Sequence, residues 1–171
     1  MKKACISFLG VLIIIALAAI FAGKGESKTE TEYLRIHIRA NSNLEADQSI
    51  KYEIKDLVVA YFTPLVKSIR TKAEAKAVFE KEKSNVNGLI DGFLRSKGFE
   101  YTANTVIDNE YFPTRMYEDL TLDAGYYDAV VIRLGKAEGD NWWCVVYPPL
   151  CFTGEGVTYK SIVYEYLRKF F

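Results

Sequence analysis

The chain is poor in the residues that most often build reactive centres. Its 171 residues include 1 histidine, 3 cysteines and 2 methionines. A lone histidine, His37, leaves no multi-histidine metal centre and no two-histidine mechanism. Neither Gly135 nor Gly139 is followed by Gly-Lys-Ser/Thr, so neither opens a phosphate loop. Charge of one sign is also lacking, with 22 basic residues set against 22 acidic ones. That balance lacks the basic footprint of a nucleic-acid binder, and nucleic acid is not an expected partner. There is no internal repeat and no long low-complexity tract. The long helical stretches hold no histidine pair or histidine–glutamate pair at metal-ligand spacing, so neither a metal nor a cofactor is expected.

What is present begins with an apolar run. Met1-Lys2-Lys3 is a short basic start, Ala4 to Gly23 carry no charge, and Lys24 to Glu30 are polar. Basic start, apolar middle and polar exit are the parts of an export signal. Ala16-Leu17-Ala18 matches the small-x-small cleavage pattern, and Ala22 is a second candidate. The other reading is a retained anchor, because about twenty uncharged residues just span a ~30 Å hydrocarbon core. Both readings place the remainder outside the membrane, secreted or tethered through the N-terminal segment. The expected organisation is a signal peptide or anchor at 1–22, a flexible spacer at 23–32, a single domain at 33–156 and a C-terminal helix at 157–171. Without Lys2 and Lys3 the exported part stays near neutral. At roughly 145 residues it is long enough to bury a real core.

The domain opens with Leu34, Ile36 and Ile38 alternating with Arg35, His37 and Arg39, the period of a half-buried strand. Ser42-Asn43-Leu44-Glu45 reads as a capping box that starts a helix, with Ser42 as N-cap. Apolar side chains from Ile50 to Ile69 follow at helical spacing, and Pro64 is expected to kink this helix or open a new segment. Thr71-Lys72-Ala73-Glu74 is a second capping box, for a helix that Lys97-Gly98 should stop. The period then changes to two. A long strand follows Gly98, a short one is expected at Leu120–Leu122, and Tyr126–Leu134 and Asn141–Tyr147 read as two arms of a hairpin around Gly135–Asp140. Helices early and strands late point to an α+β domain. Its mostly antiparallel sheet, of about four to five strands, would be covered on one face by the two long helices.

Few residues carry chemistry. His37 sits on the polar side of its strand, as a hydrogen-bonded residue near the turn, a surface contact or a general base. Cys144 and Cys151 flank the Pro148-Pro149 turn and stand close enough in sequence to pair. In an oxidising exterior a disulfide there would contribute roughly 2–3 kcal/mol on the chain-entropy view. Two buried thiols, or a Cys144/His37 nucleophile–base pair, are the other readings. The carboxylate pairs Asp119/Asp123 and Glu138/Asp140 look like solvated loops.

Three blocks of sequence carry a resemblance. Leu34-Arg35-Ile36-His37-Ile38-Arg39-Ala40-Asn41-Ser42-Asn43, with Asp47-Gln48 and Lys51 after it, resembles the opening of the stage II sporulation protein R family. Tyr111-Phe112-Pro113-Thr114-Arg115 and Leu122-Asp123-Ala124-Gly125-Tyr126-Tyr127 resemble its middle, although Asp123 stands where proline is expected. Gly139 to Phe152, with Asn141-Trp142-Trp143-Cys144 and then Cys151, resembles its most distinctive block. The resemblance implies an exported intercompartmental signal of endospore formation. Such a signal would act between two membranes on a membrane-embedded aspartic protease of the mother cell, which processes the sigma-E precursor. It brings no catalytic residues with it. His37, Asn41, Asp47, Gln48, Arg115, Asn141, Trp142 and Trp143 are the matching positions taken as candidates for a partner contact. One of Trp142 and Trp143 should fill the core, since strand neighbours face opposite ways. The alternatives are a secreted cysteine-dependent hydrolase and a structural envelope component.

Overall fold

Alternation in Leu34–Arg39 does produce a strand, β1, but one buried on both faces. In this computed structural model, which describes residues 32–117 and 120–152, Leu34, Ile36 and Ile38 are wholly buried. On the opposite side Arg35 is 0% and His37 3% exposed. The expected half-buried strand is therefore corrected: its polar side is also covered, and only Arg39 reaches solvent. The segment expected as signal or anchor (1–22), nearly all of the 23–32 spacer, the 157–171 helix and Asp119 lie outside the described residues. Among the described residues no helix is long and apolar enough to cross a membrane.

Helix α1 spans Glu45–Val66 and α2 spans Lys72–Ser96. Ile50, Ile54, Val58, Phe62 and Val66 form the buried stripe of α1, while Ala75, Phe79, Val86, Ile90 and Leu94 form that of α2. Phe62 and Phe79 stack across the pair at 3.8 Å between ring centroids. At the second capping box Thr71 caps the helix, the Glu74 backbone N–H donating to its Oγ1 at 3.2 Å, while the Glu74 carboxylate reaches one residue further back and accepts from Arg70 N–H at 2.8 Å. Gly98, at φ 84°, ends that helix in the left-handed conformation that favours glycine. The first capping box does not form. The cap position is Leu44, and the Ser42 hydroxyl donates instead to the Asp47 carboxylate at 2.6 Å. Pro64 lies inside α1, which stops two residues later at Val66, so Ile69 falls beyond the helix.

Among the described residues there are six strands: β1, β2 (Ala103–Phe112), β3 (Arg115–Tyr117), β4 (Leu120–Leu122), β5 (Gly125–Leu134) and β6 (Asn141–Tyr147). Among the described residues β3 and β4 pair only with each other, as an antiparallel ribbon. The other four form one mixed sheet in the order β2-β5-β1-β6. Its outer pairings, β2 with β5 and β1 with β6, are antiparallel, whereas β1 and β5 run parallel. The expected hairpin between β5 and β6 is thus corrected. β1 lies between them, and residues 135–140 cross over it. The α+β class and the pair of helices against one face agree with the sequence.

Register assigns the faces. Ile36 stands beside Val130 and Cys144, and Ile38 beside Ile132 and Trp142. These residues share one apolar core with both helices. His37 stands beside Val131 and Trp143, on the other face, where Phe112, Tyr127, Ala129 and Val131 form a second, smaller cluster.

Candidate partner-binding cleft

Two connections interlock at one end of β1. The turn from β1 into α1 supplies carbonyls and amides, and the crossing loop 135–140 docks onto them. Gly139 N–H donates to Ala40 O at 3.0 Å, and Glu138 N–H to Asn41 O at 3.1 Å. Lys136 N–H donates to Asn41 Oδ1 at 2.9 Å, and Asp140 N–H to Asn43 Oδ1 at 2.7 Å. The approach is close enough that a Cβ on Gly139 would overlap the Ser42 carbonyl, which accounts for a glycine there.

Asp47 anchors this lock from the first turn of α1. Its carboxylate accepts from Ser42 Oγ at 2.6 Å, Asn41 Nδ2 at 2.9 Å and Tyr101 Oη at 2.7 Å. Burial works to raise the Asp47 pKa, but these donors outweigh it and hold the group below its ordinary value. Burial and the same contact push the Tyr101 phenol upward. Gln48 donates to Ser42 O at 2.9 Å and accepts from Lys51 Nζ at 2.6 Å. Lys51, 1% exposed, also donates to Asp140 O at 3.1 Å. Burial draws its pKa down, and Asp140 opposes that.

Beside the lock lies an open cleft of about 460 Å³. Arg39, Lys51 and Arg115 bring positive charge to it from β1, α1 and the ribbon; Glu138 and Asp140 stand on its loop side, and Tyr52, Asn141 and Trp143 complete the wall. The Arg115 guanidinium lies 5.8 Å from the centre of the Trp143 ring. Asn141 Oδ1 is buried and accepts no hydrogen bond.

On the second sheet face, adjoining the cleft through Trp143, a polar cluster is enclosed in aromatic rings. The Arg35 guanidinium sits 4.1 Å from the centre of Phe112 and 4.7 Å from that of Tyr127, and it donates to Tyr117 Oη at 2.7 Å. His37 packs against Trp143 at 4.8 Å and Phe112 at 5.6 Å between centroids. Its Nε2 approaches Glu110 Oε2 to 3.0 Å without hydrogen-bond alignment. Burial, and then the charges of Arg39, Arg133 and Arg35, lower its pKa to about 4. The same Glu110 carboxylate accepts from Arg133 through Oε1 at 2.6 Å. His37 is therefore neutral at physiological pH.

The eight candidate contact residues divide by place. Gln48, Arg115, Asn141 and Trp143 meet at the cleft. Asn41 and Asp47 are bonded within the lock, Trp142 fills the helix-side core at 6% exposure, and His37 lies under the second face. The two tryptophans do face opposite ways. Cys144 and Cys151 form a disulfide, with Cα atoms 6.4 Å apart. Cys144 faces the helices while His37 faces away from them, so the nucleophile–base pair is not assembled. Sequence reasoning omitted Arg39, Lys51 and Tyr52 from the site. Lys51 had a signal: with Asp47 it falls at i, i+4 on the same stripe as Ile54 and Val58. Among the described residues no group of three or more His, Cys, Asp or Glu could hold a metal ion.

A small α+β domain with a cationic surface cleft and a disulfide-bonded edge is a form suited to recognition. The family model described as stage II sporulation protein R matches residues 30–156, which include every described residue. The stage II sporulation protein R of Bacillus subtilis (strain 168) is 31% identical over 161 residues, covering 89% of this chain and 72% of that protein. The chain belongs to the stage II sporulation protein R family. No solved structure matches it.

Proposed function

We propose that this chain is an exported signalling protein of endospore formation, which triggers a membrane-embedded aspartic protease in the mother cell and so brings about processing of the sigma-E precursor. The observation that carries this reading is the family match across the whole described domain. The Cys144–Cys151 disulfide supports an oxidising destination, since such bonds persist outside the cytoplasm. The apolar run Ile6 to Phe21 supports export, with the signal either released by cleavage or tethered by its spacer. A role in recognition, without catalysis, is supported by the engagement of Cys144 in that disulfide and by the turning of His37 to the other face.

A deletion strain of the encoding organism tests the reading. Precursor processing should stop and be restored by the wild-type chain. Processing that continues at the normal rate without the chain would overturn it, and persistent retention of the chain in the spore coat would favour a structural envelope component.

A further inference from the structure

Several elements meet at the end of the domain opposite the loop 135–140. β1 begins there at Leu34, which stands beside Tyr147 at the close of β6. Tyr147 Oη donates to Arg70 O at 2.5 Å, so the turn between α1 and α2 lies against the same end. β5 begins there too, and its Asp128 pairs with Lys72, the first residue of α2, at 2.9 Å. Two residues ahead of Asp128, Tyr126 stands opposite Tyr111, with ring centres 5.6 Å apart.

This end exposes large apolar and aromatic side chains: Tyr111 is 56%, Tyr126 38% and Leu65 37% exposed. It is also positive along the helix turn. Residues 63–79 hold four basic side chains, Lys67, Arg70, Lys72 and Lys76, and one acidic side chain, Glu74. Asp128 pairs with Lys72 and Lys76. Lys67 and Arg70 are exposed and make no ion pair among the described residues. Glu32 and Asp123 flank the same end, so the positive excess is local to the turn. Tyrosine rings, an exposed leucine and unpaired cations together suit the headgroup layer of an anionic bilayer.

The chain brings such a surface to this end. Its apolar run closes at Gly23, and residues 24–33 separate that run from Leu34. Those ten residues reach at most about 36 Å even at full extension. A soluble partner would have to find this end by diffusion, whereas a bilayer holding the apolar run is tied to it.

We propose that this end of the domain docks on an anionic bilayer, with Lys67 and Arg70 among the headgroups and Leu65, Tyr111 and Tyr126 seated at the interface. Docked in this way, the domain points the loop 135–140 and the cleft beside it away from the membrane. The proposal rests on the reading of residues 4–23 as a membrane segment and is independent of sigma-E processing.

The test places the ¹⁵N-labelled full chain in nanodiscs that carry a lipid with gadolinium chelated at its headgroup, and reads paramagnetic broadening of the backbone amides. In discs of mixed phosphatidylglycerol and phosphatidylcholine, the amides of residues 65–70, Tyr111 and Tyr126 should broaden strongly and those of residues 136–140 weakly. The docking equilibrium read from that broadening should weaken by about tenfold or more in discs of phosphatidylcholine alone, and likewise for the double variant Lys67→Gln, Arg70→Gln in the anionic discs. Lys136→Gln, at the opposite end, should leave it unchanged. Equal broadening at the two ends, stronger broadening at 136–140, or indifference either to headgroup charge or to the double variant would each overturn the docking while leaving the membrane-segment reading intact. A chain that does not enter the discs would refute that reading and the proposal with it.

Discussion

The two faces of the sheet are made by the same strands yet differ in every physical respect. The helix-side face takes Leu34, Ile36 and Ile38 from β1 and closes them under two long helices. The far face takes Arg35, His37 and Arg39 from the same strand and covers the first two with aromatic side chains, without a helix. Apolar burial stabilises the first by roughly 25 cal/mol per Å² removed from water. On the second, one guanidinium and a neutral imidazole are desolvated with few hydrogen bonds, an arrangement that contributes little to stability. The far face leads through Trp143 directly into the cleft.

Substitutions can break or sharpen this contrast. The largest effect is expected on the helix side: Ile54→Ala should cost about 3 kcal/mol in denaturant unfolding, from lost transfer energy and the cavity left behind. Removing the disulfide with Cys144→Ala and Cys151→Ala together should cost about 2–3 kcal/mol on the chain-entropy view of a loop with sequence separation 7. Asp47→Asn should cost about 1–2 kcal/mol, because one carboxylate serves donors from Asn41, Ser42 and Tyr101.

The far face should be read by pH. The unfolded chain takes up a proton on His37 near pH 6.5, but the folded chain does so only near pH 4. Stability is then full above the unfolded value, declines as the pH falls through this window, and levels off below it. Asp47 acts in the same direction lower down: its depressed folded value removes stability as acid protonates it. His37→Gln should flatten the decline between pH 6.5 and 4 in unfolding curves measured at several pH values, while Ile54→Ala shifts the whole curve without changing its shape. The smallest effect belongs to Arg35→Met. It is expected within about 1 kcal/mol of the wild type, because an apolar side chain of similar length forgoes cation–π contacts but also sheds the desolvation of a charge. A loss as large as that of Ile54→Ala would erase the difference between the faces.

Local periodicity made the helix-side face legible. Alternation in β1 and the 3.6-residue stripes of α1 and α2 follow directly from side-chain patterning, and Gly98 stops α2 where its backbone freedom is needed. Neighbours in space were less legible. A six-residue loop between β5 and β6 reads as a hairpin, and nothing local shows that β1 enters between them. The burial of Arg35 and His37 was hidden for the same reason, since Phe112 and Trp143, which cover them, come from remote strands. Ser42 carries the signature of a helix cap, yet its hydroxyl goes to Asp47, a stronger acceptor. At the candidate site, Arg115, Gln48, Asn141 and Trp143 were singled out and do meet. Asn41 and Asp47 resemble contact residues in sequence because a lock between two loops demands specific polar side chains as strictly as a partner does.

The most direct measurement is sigma-factor precursor processing in the deletion strain carrying the double variant Arg39→Glu, Arg115→Glu. Both side chains are solvent-accessible and lack ion-pair partners among the described residues, so the chain should fold and accumulate normally. Reversing the charge of the cleft is expected to abolish processing that the wild-type chain restores. Normal processing by the folded, charge-reversed chain would contradict a part for this cleft in the proposed signalling.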